Sequence, residues 1–351
     1  MTTLKYSQFL FLLLISGVLV LSGCGDDESP EPTLPFETGV FISNEGPFQN
    51  GTGTITHFNP DNNTTTQKIF ETENARPLGN IVQSITFHND KAYIVVNNAN
   101  IVEVVNANTF ESVATIEGLT MPRYFIGISE TKGYVSEWGT GGVNGAIQVI
   151  DLTTNTVTKT ITTGSGTDRM LMEGNMVYAV NKGGFGTDST VVAINTTTDE
   201  LSQTIEVDIN PNSIQVKDNQ VFALCNGVND FYNPSSNTPG SLWNITTETK
   251  VFQFSTPNDH PSNLVVDDQN QLYCTNAGQL IQFNEGINVF STIPLVAKSF
   301  YALGFNATDG YLYGSDALDF ASDGFVFRYE TNGTKVDSIQ AGIIPGGFAF
   351  K

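Results

Sequence analysis

From about residue 39 onward, apolar and polar positions alternate with a period of two in short runs broken by turn residues. Residues 133–161 show the unit. Gly133-Tyr134-Val135-Ser136 predicts a short β-strand, and a glycine-rich loop follows over 139–145. Ala146-Ile147-Gln148-Val149-Ile150 predicts a second strand. Asp151-Leu152-Thr153-Thr154-Asn155 has turn composition, and the β-branched run Thr156-Val157-Thr158-Lys159-Thr160-Ile161 predicts a third strand. No long stretch carries the i, i+3, i+4 apolar spacing of a helix.

The unit repeats. An aromatic sits at the centre of an apolar strand at Phe41, Tyr93, Tyr134, Tyr178, Phe222, Tyr273 and Tyr313. The spacing is roughly 45 residues, the length of a four-stranded propeller blade. Further strands precede these aromatics at 82–87, 124–129, 170–173, 213–216, 263–266 and 301–306. Others follow, as at 101–105, 191–194 and 325–329, with outer strands at 112–116, 202–207, 250–254 and 335–339. The first repeat starts directly at its aromatic strand, 39–43, and residues 343–351 supply the missing inner one. The expectation is an all-β, seven-bladed β-propeller, closed by pairing of the N- and C-terminal strands in blade one, which leaves no open blade edge. An open array of repeats is the rival.

Residues 9–21 form an apolar run too short for a stable bilayer span. It ends in Leu21-Ser22-Gly23-Cys24, which resembles a bacterial lipobox, and Gly25-Asp26-Asp27-Glu28 follows. The resemblance implies a signal peptide over 1–23, acylation of Cys24, an acidic, proline-containing tether over 24–36 and the propeller over 37–351. The acidic stretch is similar to surface-export signals of Bacteroidota lipoproteins, so the expected location is the outer membrane, lipid-anchored, at the cell surface.

Charge narrows the function. With 15 basic and 36 acidic residues, the net charge is −21, which repels phosphate backbones and excludes a nucleic-acid partner. Cys225 and Cys274 fall on the same side of equivalent strands in neighbouring repeats, so they are expected as separate buried thiols and not as a disulfide.

Tyr134-Val135 together with Gly145-Ala146-Ile147-Gln148-Val149-Ile150-Asp151-Leu152-Thr153-Thr154 resembles the surface-layer and lactonase-like seven-bladed propellers built of YVTN repeats. The opening Gly39-Val40-Phe41-Ile42-Ser43-Asn44-Glu45-Gly46, the run Pro122-Arg123-Tyr124 and the lipobox are similar to Bacteroidota surface lipoproteins that capture cobalamin and pass it to a TonB-dependent corrinoid transporter. That resemblance implies a non-enzymatic protein with cobalamin as its transported ligand, no required cofactor and a membrane contact through the lipid anchor. No metal is expected, since His57, His88 and His260 lie in different repeats without zinc-ligand spacing and Asp316, Asp319 and Asp323 lack the alternation of an EF-hand loop.

In a propeller, the loops entering the innermost strands and those leaving the aromatic strands emerge on one face. The entering loops hold Arg76, Arg123, Tyr124, Arg169, Asn212, His260, Phe300 and Tyr301. The leaving loops hold Asn44, Asn97, Trp138, Asn181, Asn226, Phe231, Tyr232 and Asp316. Amides and aromatics suit a planar, amide-edged ring, and the arginines suit a phosphate. The competing explanation for each asparagine is turn chemistry. A surface adhesion or scaffold propeller is the main alternative function. A lactonase-like hydrolase using Glu45, Glu137, Arg123 and His260 is a lesser one, since nothing in their spacing singles them out. Trp138 and Trp243 are the only tryptophans, too few for the docking motifs of quinone-dependent propellers.

Overall fold

The computed structural model describes residues 34–48 and 51–351. The expected signal peptide, Cys24 and the tether through residue 33 lie outside the described residues. The rest folds as seven four-stranded antiparallel sheets, the seven blades of a β-propeller.

Blade one closes the ring. Its innermost strand is Pro345–Phe350, paired antiparallel with Val40–Asn44, then Thr54–Asn59 and Thr64–Thr66. Backbone bonds of 3.0 Å run both ways between Gly39 and Lys351. The Lys351 ammonium donates to the carbonyls of Phe36 at 2.7 Å and Ala107 at 2.8 Å, joining both ends of the domain to blade two. Phe36, at the end of the expected tether, is buried against Phe41 and Phe110.

The other six blades run in chain order from Val82–His88 to Lys335–Ile343, each adding strands outward from the channel. One short helix, Ile69–Asn74, interrupts the pattern after blade one. Its six residues are too few to show a helical period in the sequence, and it buries Ile69 and Phe70 under the ring.

Why these strands stack is visible in their alternation. Each blade has two apolar faces, and each face packs on a neighbour. Tyr93, Val95 and Val102 meet Phe125, Val135 and Ile150 between blades two and three. Tyr313, Val326 and Ile339 meet Val40, Ile42 and Phe58 across the closure. Cys225 belongs to the cluster between blades four and five and Cys274 to the next one, so both are free, buried thiols.

Candidate functional site: the channel mouth

The inner strands begin irregularly. In blades two to six the register shifts within the first residues of the inner strand: between Val82 and Ser84, Pro122 and Phe125, Thr167 and Met170, Pro211 and Ser213, and Ser262 and Val265. In blade one the shift opposite Ser43 and Asn44 leaves Gly346 without a partner. A β-bulge turns its extra residue out of the ladder. Gln83, Arg123, Tyr124, Arg169, Asn212, Asn263 and Gly346 all lie in these bulges, and all line a depression of about 210 Å³ at the channel mouth. Glu45, Lys182, Ser262 and Tyr301 complete it. Positive-φ residues precede five of the inner strands: Ile81, Met121, Gly166, Asn210 and Ile344. The left-handed conformation is costly for β-branched isoleucine, and such strain collects where the surrounding fold fixes a site.

Charge at the mouth is opposite in sign to the chain as a whole. Arg123, Arg169 and Lys182 converge there with two carboxylates, Asp168 and Glu45. Asp168 is buried; its Oδ2 accepts from Arg123 Nε at 3.0 Å and from Trp138 Nε1 at 2.9 Å. Burial works to raise its proton affinity, but the charges of Arg123, Lys182 and Arg169 hold the carboxyl below the usual range. The Arg123 guanidinium lies 4.2 Å from the Trp138 ring centroid, and that of Arg169 lies 4.9 Å from the Tyr124 ring. Asp168 supports the charge on Lys182, yet burial and the two arginines together lower its proton affinity. Glu45 is shifted upward by burial, in spite of hydrogen bonds from the Tyr301 hydroxyl at 3.1 and 3.2 Å. The mouth is therefore a shallow, preorganised site with a surplus of positive charge, suited to an anionic group on a polar ligand.

Of the residues read from the sequence, Arg123, Tyr124, Arg169, Asn212 and Tyr301 line the mouth, and Trp138 backs it. Arg76 does not; it pairs with Glu103 at 2.6 Å and covers Phe70. The asparagines are scaffold. Asn44 bonds Thr54, Thr56 and the Gly342 amide; Asn97 donates to the Pro122 carbonyl; Asn181 bridges Thr167 and Thr190; Asn226 donates to the Pro261 carbonyl. Asn212 lines the mouth but also donates to Pro261, at 2.9 Å. Phe300 is buried against Tyr329, Asp316 pairs with Lys298 at 2.6 Å, and His260 faces the Asn226 carbonyl with Nδ1 while Nε2 is buried without a partner. Gln83 and Gly346 escaped the sequence reading, because a bulge breaks the period-two pattern by a single residue; Asn263 stood in the entering loop His260-Pro261-Ser262-Asn263 without being named as a ligand group.

A second feature surrounds the mouth. Among the described residues, the exposed aromatics are Phe48, Phe185, Phe231, Tyr232, Tyr301 and Phe320. All lie on connections that emerge on the mouth face. Phe231 and Tyr232 are 87% and 95% exposed, on a loop held by Asp230 and Asn237. Within this crown Phe231 packs edge-on against Tyr232 and Tyr301 against Phe320, each pair with ring centroids 5.7 Å apart.

Comparison with solved structures agrees on the fold. A quinonprotein alcohol dehydrogenase-like protein from Bacteroides thetaiotaomicron is similar at 16% identity, with 90% of this chain and 78% of that chain covered and a TM-score of 0.66. Hydrazine synthase of Kuenenia stuttgartiensis is similar at 13% identity, with coverage of 73% and 85% and a TM-score of 0.59. The computationally designed Ika8 protein is similar at 15% identity, with coverage of 89% and 88% and a TM-score of 0.58. No curated protein matches the chain. A family model matches residues 38–228, more than half of the sequence, and the chain therefore belongs to the family described as a domain of unknown function, DUF5074.

Proposed function

We propose that this propeller is a non-catalytic capture protein that holds the anionic group of a small ligand in the channel mouth. The carrying observation is the convergence of Arg123, Arg169 and Lys182, three of only 15 basic residues in a chain of net charge −21. In the fuller reading the ligand is a corrinoid. Its nucleotide-loop phosphate faces the three cations, its amide edge meets Gln83, Asn212 and Asn263, and Tyr124 and Tyr301 supply flat contact. The acylated Cys24 then keeps the protein on the outer membrane at the cell surface, and a TonB-dependent transporter receives the ligand. Equilibrium titration with cyanocobalamin tests this: saturable binding in the micromolar range or tighter supports it, and no binding at micromolar concentration refutes it.

A second reading rests on the aromatic crown. Phe48, Phe231, Tyr232 and Phe320 suit contact with a protein, as in a surface scaffold or as the seat of a transporter. Shortening the loop over 226–240 separates the two: weakened cobalamin binding favours a role over the ligand, and unchanged affinity favours protein contact. Hydrolysis finds little support. His260 is held at the Asn226 carbonyl, Glu137 is engaged by Thr120 and Gln148, and neither lines the mouth with Glu45 and Arg123.

A further inference from the structure

A groove of about 530 Å³, larger than the mouth, lies between blades three and four. Its volume lies within the roughly 300–1,000 Å³ range of small-molecule sites. One wall is the glycine-rich loop before Ala146; the other is the connection through Thr163, Gly164 and Ser165. The walls approach closely at Gly145, where a Cβ would come within 2.2 Å of the Gly164 carbonyl oxygen. Only glycine leaves the groove open there.

The lining is polar and carries no lysine or arginine. Its hydroxyls come from both walls, and its two carboxylates, Glu137 and Asp188, are fixed by internal donors. The Thr160 hydroxyl donates to Gln148 Oε1 at 2.7 Å, and Gln148 Nε2 donates to Glu137 Oε2 at 2.8 Å. The Thr120 amide donates to Glu137 Oε1 at 2.7 Å. Opposite, the Ser165 amide donates to Asp188 Oδ2 at 2.7 Å and the Thr190 hydroxyl to Oδ1 at 2.6 Å. Each oxygen keeps a second lone pair for a ligand.

These chemistries select among ligands. The carboxylates and the missing cations exclude an anion, so the groove cannot share the ligand group assigned to the mouth. A metal ion is disfavoured, since no three His, Cys, Asp or Glu converge among the described residues. A neutral polyol remains. Each sugar hydroxyl both donates and accepts, which matches fixed carboxylates, an amide and rotatable threonine hydroxyls. Beside the groove, Phe185 lies against Gly142, where a Cβ would approach its ring to 2.3 Å, with its edge-on neighbour Trp138 at 5.6 Å. The ring is 72% exposed and offers a platform for the C–H face of a sugar.

We propose that this groove binds a neutral carbohydrate, with Glu137, Gln148 and Asp188 addressing its hydroxyls and Phe185 stacking on its ring. The test is retention of the full chain on a panel of immobilised neutral plant, microbial and host oligosaccharides, with sulfated and sialylated glycans alongside. The expected result is binding to a neutral glycan that weakens about tenfold or more in both Phe185→Ala and Gln148→Ala. Phe185→Ala removes an exposed ring and is expected to melt like the parent, so its loss of binding is not a loss of folding. Arg169→Ala, at the mouth, is expected to leave glycan binding unchanged, which keeps this outcome separate from the corrinoid reading. Retention of no neutral glycan, retention of anionic glycans only, or retention indifferent to both groove substitutions overturns the proposal.

Discussion

Arg123 and Trp138 share one acceptor: both donate to Oδ2 of Asp168, at 3.0 and 2.9 Å, while the guanidinium lies 4.2 Å from the indole centroid. The arginine at the mouth is thereby locked by an entering loop, a leaving loop and the next blade. Removing the acceptor strands a largely buried cation, so Asp168→Ala is expected to cost about 3 kcal/mol in urea unfolding. The pH dependence has a definite sign. Asp168 binds its proton less readily in the folded state than in the unfolded chain, so its contribution is complete above about pH 4 and is lost as pH falls further. Asp168→Asn should lack that acid-side loss in melts across this range.

Glu45 behaves in the opposite way. Burial raises its proton affinity, so the ionised carboxylate opposes folding near neutral pH, and the opposition fades as pH falls through its raised pKa. Glu45→Gln is expected to raise the melting temperature at about pH 7 and to add little near the unfolded carboxyl value of about pH 4. A variant less stable than the parent at neutral pH would show that the Tyr301 bonds outweigh the cost of burial.

The ring depends on its last strand. A chain ending before Gly342 loses the inner strand of blade one and exposes both faces of the closure. It is expected to show no cooperative thermal transition by circular dichroism. The milder Lys351→Met removes the donations to Phe36 and Ala107 and is expected to cost about 1 kcal/mol.

The architecture was legible because a blade writes itself into sequence twice, as period-two alternation and as a recurring central aromatic. The closure was legible because one strand was missing at the start and one was spare at the end. The mouth was only partly legible. Arg123, Tyr124, Arg169 and Tyr301 stood out as cations and aromatics at inner-strand entrances, whereas Gln83 sits inside a strand run with neither a charge nor a ring to mark it. Asn97 and Asn226 looked like ligand groups because they recur. In blades two and five they serve as side-chain donors to the carbonyl at the entrance of the next blade, at Pro122 and Pro261. Repetition in a propeller marks the scaffold, and the site lies in what does not repeat.

Burial pushes the thiols of Cys225 and Cys274 upward, and both are fully enclosed in separate inter-blade clusters. Neither is expected to react with a thiol reagent in the native protein, and both should react once it is unfolded. Labelling of either thiol under native conditions would mean that these clusters open.

The capture of an anionic ligand group by Arg123, Arg169 and Lys182 is tested most directly by calorimetric titration of the parent and of Lys182→Ala with cyanocobalamin and with cobinamide, which lacks the nucleotide-loop phosphate. Among the described residues the Lys182 ammonium donates no hydrogen bond and acts on Asp168 through charge alone, so the variant is expected to fold. The parent is expected to bind cyanocobalamin, with affinity falling about tenfold or more when either the phosphate or the Lys182 ammonium is removed. Absence of cyanocobalamin binding, or equal affinity for all four pairings, would contradict it.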